Sequence, residues 1–207
     1  MGSGSLAFIM ADEPHSKGKV KRRMRIIGGK FSGRTLATPS GRATRPTSER
    51  VREAMFNILA HGIQGFNMEG ARVLDLFAGT GAMGLEAMSR GARHCMFVDE
   101  SAEARGLIRS NADALGLIGL CKIWRRDVSR LGDCAPLAPF GLVFIDPPYG
   151  KGLGGKTIAA LQIGGWLEPG AIVVLEEAAK AEIAVDSPFT EIDRRTYGDT
   201  QIVMLRA

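Results

Sequence analysis

From Arg72 to Ala78 the chain reads RVLDLFA, a nearly continuous apolar run, and it passes at once into Gly79-Thr80-Gly81-Ala82-Met83-Gly84. A short apolar run of this kind is a strand buried on both faces, which is found in parallel sheets covered by helices. The glycines behind it allow a tight turn and close approach of the backbone to a ligand, and they open a helix over about 81–90. The same unit recurs. His94–Asp99 is a second strand and Ala102–Leu115 a second helix, followed by strands at Cys121–Arg126, Leu142–Asp146 and Ala171–Glu176. The alternation implies an α/β fold with a mostly parallel sheet. Glu191–Arg195 and Ile202–Leu205 close the chain around Tyr197-Gly198-Asp199 with no helix between them, which predicts an antiparallel hairpin at one edge.

Upstream the pattern is different. Residues 1–24 are rich in Gly, Ser and Lys and lack periodicity, as in a disordered basic tail. Arg25–Leu36 reads as two short strands about a Gly-rich turn, and 39–46 as a loop. Thr47 or Ser48 then caps a helix to about Ala60, with Val51, Met55, Ile58 and Leu59 on one face. The expected organisation is a tail (1–24), a hairpin and helix extension (25–62) and the main domain (63–207). The charge follows this division. Of the 27 Lys/Arg residues, 12 lie in 1–52 against three acids, so a chain of net charge +5 carries its whole positive excess at this end. A basic arm of that kind suits phosphates.

Other classes are disfavoured. No apolar run approaches the roughly 20 residues of a membrane helix, and Leu6–Met10 lacks the flanks of a signal peptide. Cys95, Cys121 and Cys134, with His15, His61 and His94, show no ligand spacing. No metal is expected, and reduced thiols fit a cytoplasmic protein.

The turn after the first strand marks a ligand site, because open α/β sheets bind ligands outside the carboxyl ends of their strands. Glycines in this spacing serve dinucleotides as well. Asp75 favours adenosylmethionine, since a carboxylate there can meet a cationic amino-acid end but would repel a pyrophosphate. Asp99, about 20 residues past Gly79, can hold ribose hydroxyls. Asp127, ending the third strand, is a candidate acceptor for the adenine amino group or simply a surface acid.

Asp146-Pro147-Pro148-Tyr149 follows the fourth strand. An exocyclic amine on a base is a weak nucleophile because its lone pair is delocalised into the ring. The Asp146 carboxylate and a carbonyl of the Pro147-Pro148 segment can accept the amine hydrogens and aim the lone pair. Tandem prolines stiffen the loop, which suits in-line transfer. Tyr149 offers a ring for stacking to a base splayed from its neighbours.

Arg25-Ile26-Ile27-Gly28-Gly29, Gly33-Arg34-Thr35-Leu36 and the block Arg45–Leu59 (RPTSERVREAMFNIL), continued by Asp75–Gly81 and Asn111–Leu117, resemble the bacterial 16S rRNA (guanine(966)-N(2))-methyltransferase family. The resemblance covers about 25–207. It implies a Rossmann-like class I methyltransferase fold, with a seven-stranded sheet and a small N-terminal β-hairpin extension. By similarity, Asp75, Phe77, Ala78, Gly79, Gly81, Asp99 and Asp127 line the S-adenosyl-L-methionine pocket, and Asp146, Pro147, Pro148 and Tyr149 hold the guanine amine. The partner implied is 16S ribosomal RNA in the small subunit or an assembly intermediate, met by a monomer. Asp99 stands where Glu is common in the family and has a shorter reach. Arg34, Arg45, Arg50 and Arg52 are candidate RNA contacts, with pairing to Glu49 or Glu53 the alternative for the helical ones. Competing readings are a DNA adenine or cytosine amino-methyltransferase, which shares Asp-Pro-Pro-Tyr but needs a target-reading insert, and a non-catalytic RNA-binding assembly factor.

Overall fold

The computed structural model describes residues 24–39, 49–183 and 188–207. The strands are β1 (Arg72–Leu76), β2 (His94–Val98), β3 (Cys121–Trp124), β4 (Phe140–Ile145), β5 (Leu167–Ala178), β6 (Thr190–Tyr197) and β7 (Thr200–Arg206). The helices are α1 (Glu49–His61), α2 (Ala82–Ser89), α3 (Ala102–Ala114) and α4 (Leu153–Ile163). All seven strands form one sheet in the order β3-β2-β1-β4-β5-β7-β6. The first five are parallel, while β7 runs antiparallel to β5 and pairs with β6 as the edge hairpin. The order reverses between β1 and β4, so their carboxyl ends open a crevice at the switch point.

Alternating residues supply two cores, one on each face of the sheet. Val73, Leu142, Phe144, Ile172 and Val174 face α1, α2 and α3, while Leu74, Leu76, Val143, Ile145, Val173 and Leu175 face Trp166 and α4. Burial of the central strands on both faces explains why they read as continuous apolar runs. Helix α1 buries Met55, Phe56 and Leu59, and Phe56 lies 5.6 Å from the ring of Phe144. Its capping residues Thr47 and Ser48, and the loop before them, lie outside the described residues.

The third glycine of the turn, Gly84, sets how closely α2 approaches the sheet. A Cβ there would overlap the Phe97 ring and the Cys95 sulfur. Helix α4 escapes notice in the sequence because Gly152, Gly154 and Gly155 sit in and just before its first turn, where helix propensity is poor. One reason for a glycine is packing: Gly154 lies against Leu175.

The N-terminal extension differs from the two strands read from its sequence. Only Arg25 and Thr35 form an antiparallel bridge, around a 3-10 turn at Gly29–Phe31. Side chains of α2 hold the segment instead. Glu86, fully buried, accepts the amides of Ile27 (2.7 Å) and Gly28 (2.8 Å). Ser89 Oγ accepts the Phe31 amide and donates to the Gly28 carbonyl. Gly29, at φ 75°, has no space for a side chain because a Cβ would overlap the Ser89 backbone. Ile26 and Leu36 anchor the segment in the α1–α2 core.

Candidate active site

The β1–α2 turn is built around two carboxylates. Asp75 is nearly fully buried on the α2 face of β1, and its Oδ2 accepts the Gly84 amide at 2.9 Å. Burial raises its pKa from 3.8 to about 8, against the pull of that hydrogen bond, with the charge of Asp99 adding a smaller push. Asp99, just past β2, reaches across with Oδ2 to the Gly79 amide (2.9 Å), while its Oδ1 accepts the Ser101 amide. Phe77 sits at φ 59°, the left-handed region that L side chains avoid at a cost of roughly 1–2 kcal/mol. Ala78 is buried, its amide bonded to the Val98 carbonyl, and Gly79 and Gly81 both have positive φ. Backbone strain of this kind gathers at ligand-binding turns.

Asp127 lies past β3 at the same edge of the sheet. Its Oδ1 accepts both the amide and the hydroxyl of Ser129, which lower its pKa. Asp75, Phe77, Ala78, Gly79, Gly81, Asp99 and Asp127 thus belong to the carboxyl ends of β1, β2 and β3. Among the described residues no Lys or Arg forms an ion pair with Asp75, Asp99 or Asp146. Carboxylates without basic partners suit a cationic ligand such as adenosylmethionine and repel a pyrophosphate.

Asp146-Pro147-Pro148-Tyr149 leaves β4 next to this turn, with the Asp146 amide bonded to the Leu76 carbonyl. Asp146 opens onto the crevice yet lies among protein atoms. Desolvation, then the charges of Glu176, Asp75 and Glu177, raise its pKa well above the carboxylate range. Pro147 is buried and Pro148 exposed. The Tyr149 hydroxyl is clamped by Glu176 Oε1 (2.9 Å) and Thr200 Oγ1 (3.0 Å). Desolvation is the main cause that lifts its pKa to about 12. The ring is therefore fixed in orientation while remaining 38% exposed.

The candidate RNA contacts separate. Arg50 is exposed on α1. Arg34 is exposed and donates to the Ala114 carbonyl at the carboxyl end of α3. Arg45 lies outside the described residues. Arg52 does not reach the surface and is corrected from an RNA contact to a buried structural cation. It is 1% exposed, donates to the Arg25 carbonyl and lies 4.0 Å from Glu86. A charged residue beside Glu49 and Glu53 read as solvent-facing because the sequence gives no sign that Glu86, 34 positions later, supplies a buried counter-charge.

Three further residues matter that the sequence did not single out. Glu176 and Thr200 orient Tyr149. Asn111 of α3 is buried and joins two segments: its amide donates to the Thr80 carbonyl (3.0 Å) and the Ala37 carbonyl (3.1 Å), and accepts the Ala37 amide (2.7 Å). It thereby ties the cofactor turn to the N-terminal extension. Asn111 had appeared only as part of the NADALGL block.

Similarity to known proteins agrees with this site. Residues 24–206 match the model of the family described as Conserved hypothetical protein 95. The chain is 37% identical over 159 residues to the Ribosomal RNA small subunit methyltransferase D of Escherichia coli (strain K12), covering 74% of each. It is 33% identical over 186 residues to the protein called "Putative rRNA methyltransferase YlbH" of Bacillus subtilis (strain 168), covering 88% of this chain and 98% of that one. Among solved structures, "Putative methyltransferase yhhF from Escherichia coli" superposes with a TM-score of 0.76 at 31% identity, over 89% of this chain and 97% of that one. With the sheet order, the cofactor turn and Asp-Pro-Pro-Tyr in place, the chain belongs to the Conserved hypothetical protein 95 family, together with the small-subunit ribosomal RNA methyltransferases D that its N-terminal block resembles.

Proposed function

We propose that this protein transfers the methyl group of S-adenosyl-L-methionine to the exocyclic N2 amine of one guanine in small-subunit (16S) ribosomal RNA, in the cytoplasm. The observation that carries the reading is the placement of Asp146-Pro147-Pro148-Tyr149 against the β1–α2 turn, at the crevice where the strand order reverses. The names of the relatives support ribosomal RNA as substrate, and the resemblance supplies guanine N2. The substrate form is the small subunit or an assembly intermediate, met by a monomer.

When bound, adenosylmethionine supplies an electrophilic methyl on a positively charged sulfur. The chain's residues do the rest. Asp99 and the amides of the turn hold the ribose side, Asp127 the adenine side, and Asp75 supplies negative charge beneath the amino-acid end. Asp146 and a carbonyl of the Pro147-Pro148 segment accept the two amine hydrogens, which directs the nitrogen lone pair at the methyl carbon. As the new N–C bond forms and the S–C bond breaks, the nitrogen must shed one proton. A carboxyl whose pKa is raised toward neutrality is suited to take it. The rate gain is mainly positioning and electrostatics. Arg34, Arg45 and Arg50 contact the RNA backbone.

The test is to incubate the protein with labelled adenosylmethionine and small subunits from cells lacking the enzyme, then identify the labelled nucleoside. Labelled N2-methylguanosine at one position is expected. Label in another nucleoside, in DNA or in protein would refute the assignment.

A further inference from the structure

Three carboxylates share one face of the sheet at its carboxyl edge. Asp75 is paired with Phe144 of β4, and Phe144 with Val174 of β5. The last β4–β5 pair is Ile145 with Leu175, so Asp146 and Glu176 are the next residues in register. Neighbours in register point to the same side of a sheet. Glu176 is 8% exposed and accepts the Tyr149 hydroxyl at 2.9 Å. Glu177 alternates to the opposite face, where it lines a cavity of about 590 Å³ beside α4. The groups that most affect Asp146 electrostatically are Glu176, Asp75 and Glu177, all acids.

An environment built from ionised carboxylates accepts hydrogen bonds and donates none. That distinguishes bases by the ring nitrogen beside the reactive amine. In guanine the N2 amine adjoins N1–H, so the edge presents donors only. In adenine and cytosine the exocyclic amine adjoins N1 or N3, each an acceptor, which would face a carboxylate lone pair to lone pair. A carboxylate has about four lone-pair sites, enough for Glu176 to hold the Tyr149 hydroxyl and accept a further donor.

We infer that Glu176 is a specificity-determining residue, accepting the N1–H of the guanine whose N2 amine is held by Asp146, and so excluding adenine and cytosine. The inference rests on the guanine-N2 reading above and adds the residue that enforces it. Tyr149 then has two roles: its ring receives the base, and its hydroxyl fixes the carboxylate that reads the base.

The test uses reconstituted small-subunit particles carrying either guanine or 2-aminopurine at the methylated position. 2-Aminopurine keeps the exocyclic amine but has an unprotonated N1. The wild-type protein should prefer guanine by at least about a hundredfold in kcat/KM, as sites built to bond a polar group reject analogues lacking it. Glu176→Gln can turn its amide to donate to N1, so its preference should fall below about tenfold. Tyr149→Phe removes the same hydroxyl contact but keeps the carboxylate. It should lower both rates and leave the ratio near the wild-type value, which separates reading from merely holding the tyrosine. Methylation of guanine with a ratio unchanged in Glu176→Gln overturns the inference alone. So does equal use of both bases by the wild type, which decides the matter even where the variant fails to fold. Methylation at adenine or cytosine instead overturns the guanine reading, and this inference with it.

Discussion

Replacing Glu86 with glutamine changes one atom in a buried site that holds the N-terminal extension to the methyltransferase core. The Glu86 carboxylate accepts three hydrogen bonds, from the amides of Ile27 and Gly28 and from Arg90 Nε at 2.8 Å, and lies 4.0 Å from the Arg52 guanidinium. In Glu86→Gln, one oxygen becomes an NH2 that faces a backbone N–H, donor against donor. The orphaned amide alone costs about 1–3 kcal/mol. Arg52, already held below its usual pKa by desolvation with Glu86 opposing that shift, loses this buried counter-charge. Removing one partner of a buried pair costs about 3–5 kcal/mol. The two effects overlap, so we expect a total of about 3–5 kcal/mol, which for a domain of this size lowers the melting temperature by roughly 10 °C. The assay is denaturant and thermal unfolding, with amide exchange at Ile27 and Gly28. Those amides should lose protection before the sheet does. Glu86→Leu combined with Arg52→Met, which removes both charges, should recover much of the loss. A loss below 1 kcal/mol, or unchanged exchange at both amides, would refute the account of how the extension is anchored.

The remaining predictions concern the site. Asp146→Ala should abolish methyl transfer while leaving cofactor affinity within about tenfold, a change below ~1.4 kcal/mol; parallel loss of both in calorimetry would remove Asp146 from the role of amine acceptor. Asp75, at about 8 in the folded protein against an ordinary 3.8, keeps a proton that the unfolded chain releases. Its contribution to stability is therefore greatest below about pH 4 and is lost as pH rises to about 8. Asp75→Asn should lack that slope in denaturant titrations across this window, and equal slopes would contradict the burial argument. Arg34→Ala should weaken binding to small-subunit RNA and flatten its salt dependence by about one counterion; an unchanged slope would remove it from the phosphate contacts.

Several parts of this protein were determined by the sequence alone. The β1 run and its glycines, with three more apolar runs behind them, specify a buried parallel sheet, because a strand covered on both faces has no polar side to show. Asp75 and Asp99 were legible through fixed spacing from the turn, and Asp146–Tyr149 through four consecutive residues whose chemistry needs no distant partner. Boundaries were less legible: β5 extends to Leu167–Ala178 where the sequence marked 171–176, and α4 was hidden by its glycines. What the tertiary structure alone decided is pairing across long separations. It decided that Arg52 lies inside, because Glu86 compensates it. Extension residues that read as a hairpin are held by Glu86 and Ser89 of α2, leaving a single bridge. The alignment of β4 with β5 sets Glu176 beside Asp146, and β7 brings Thr200 to Tyr149. Local propensity and periodicity are written in neighbouring residues, whereas the burial of a charge and the meeting of two strand ends depend on residues that only the folded chain brings together.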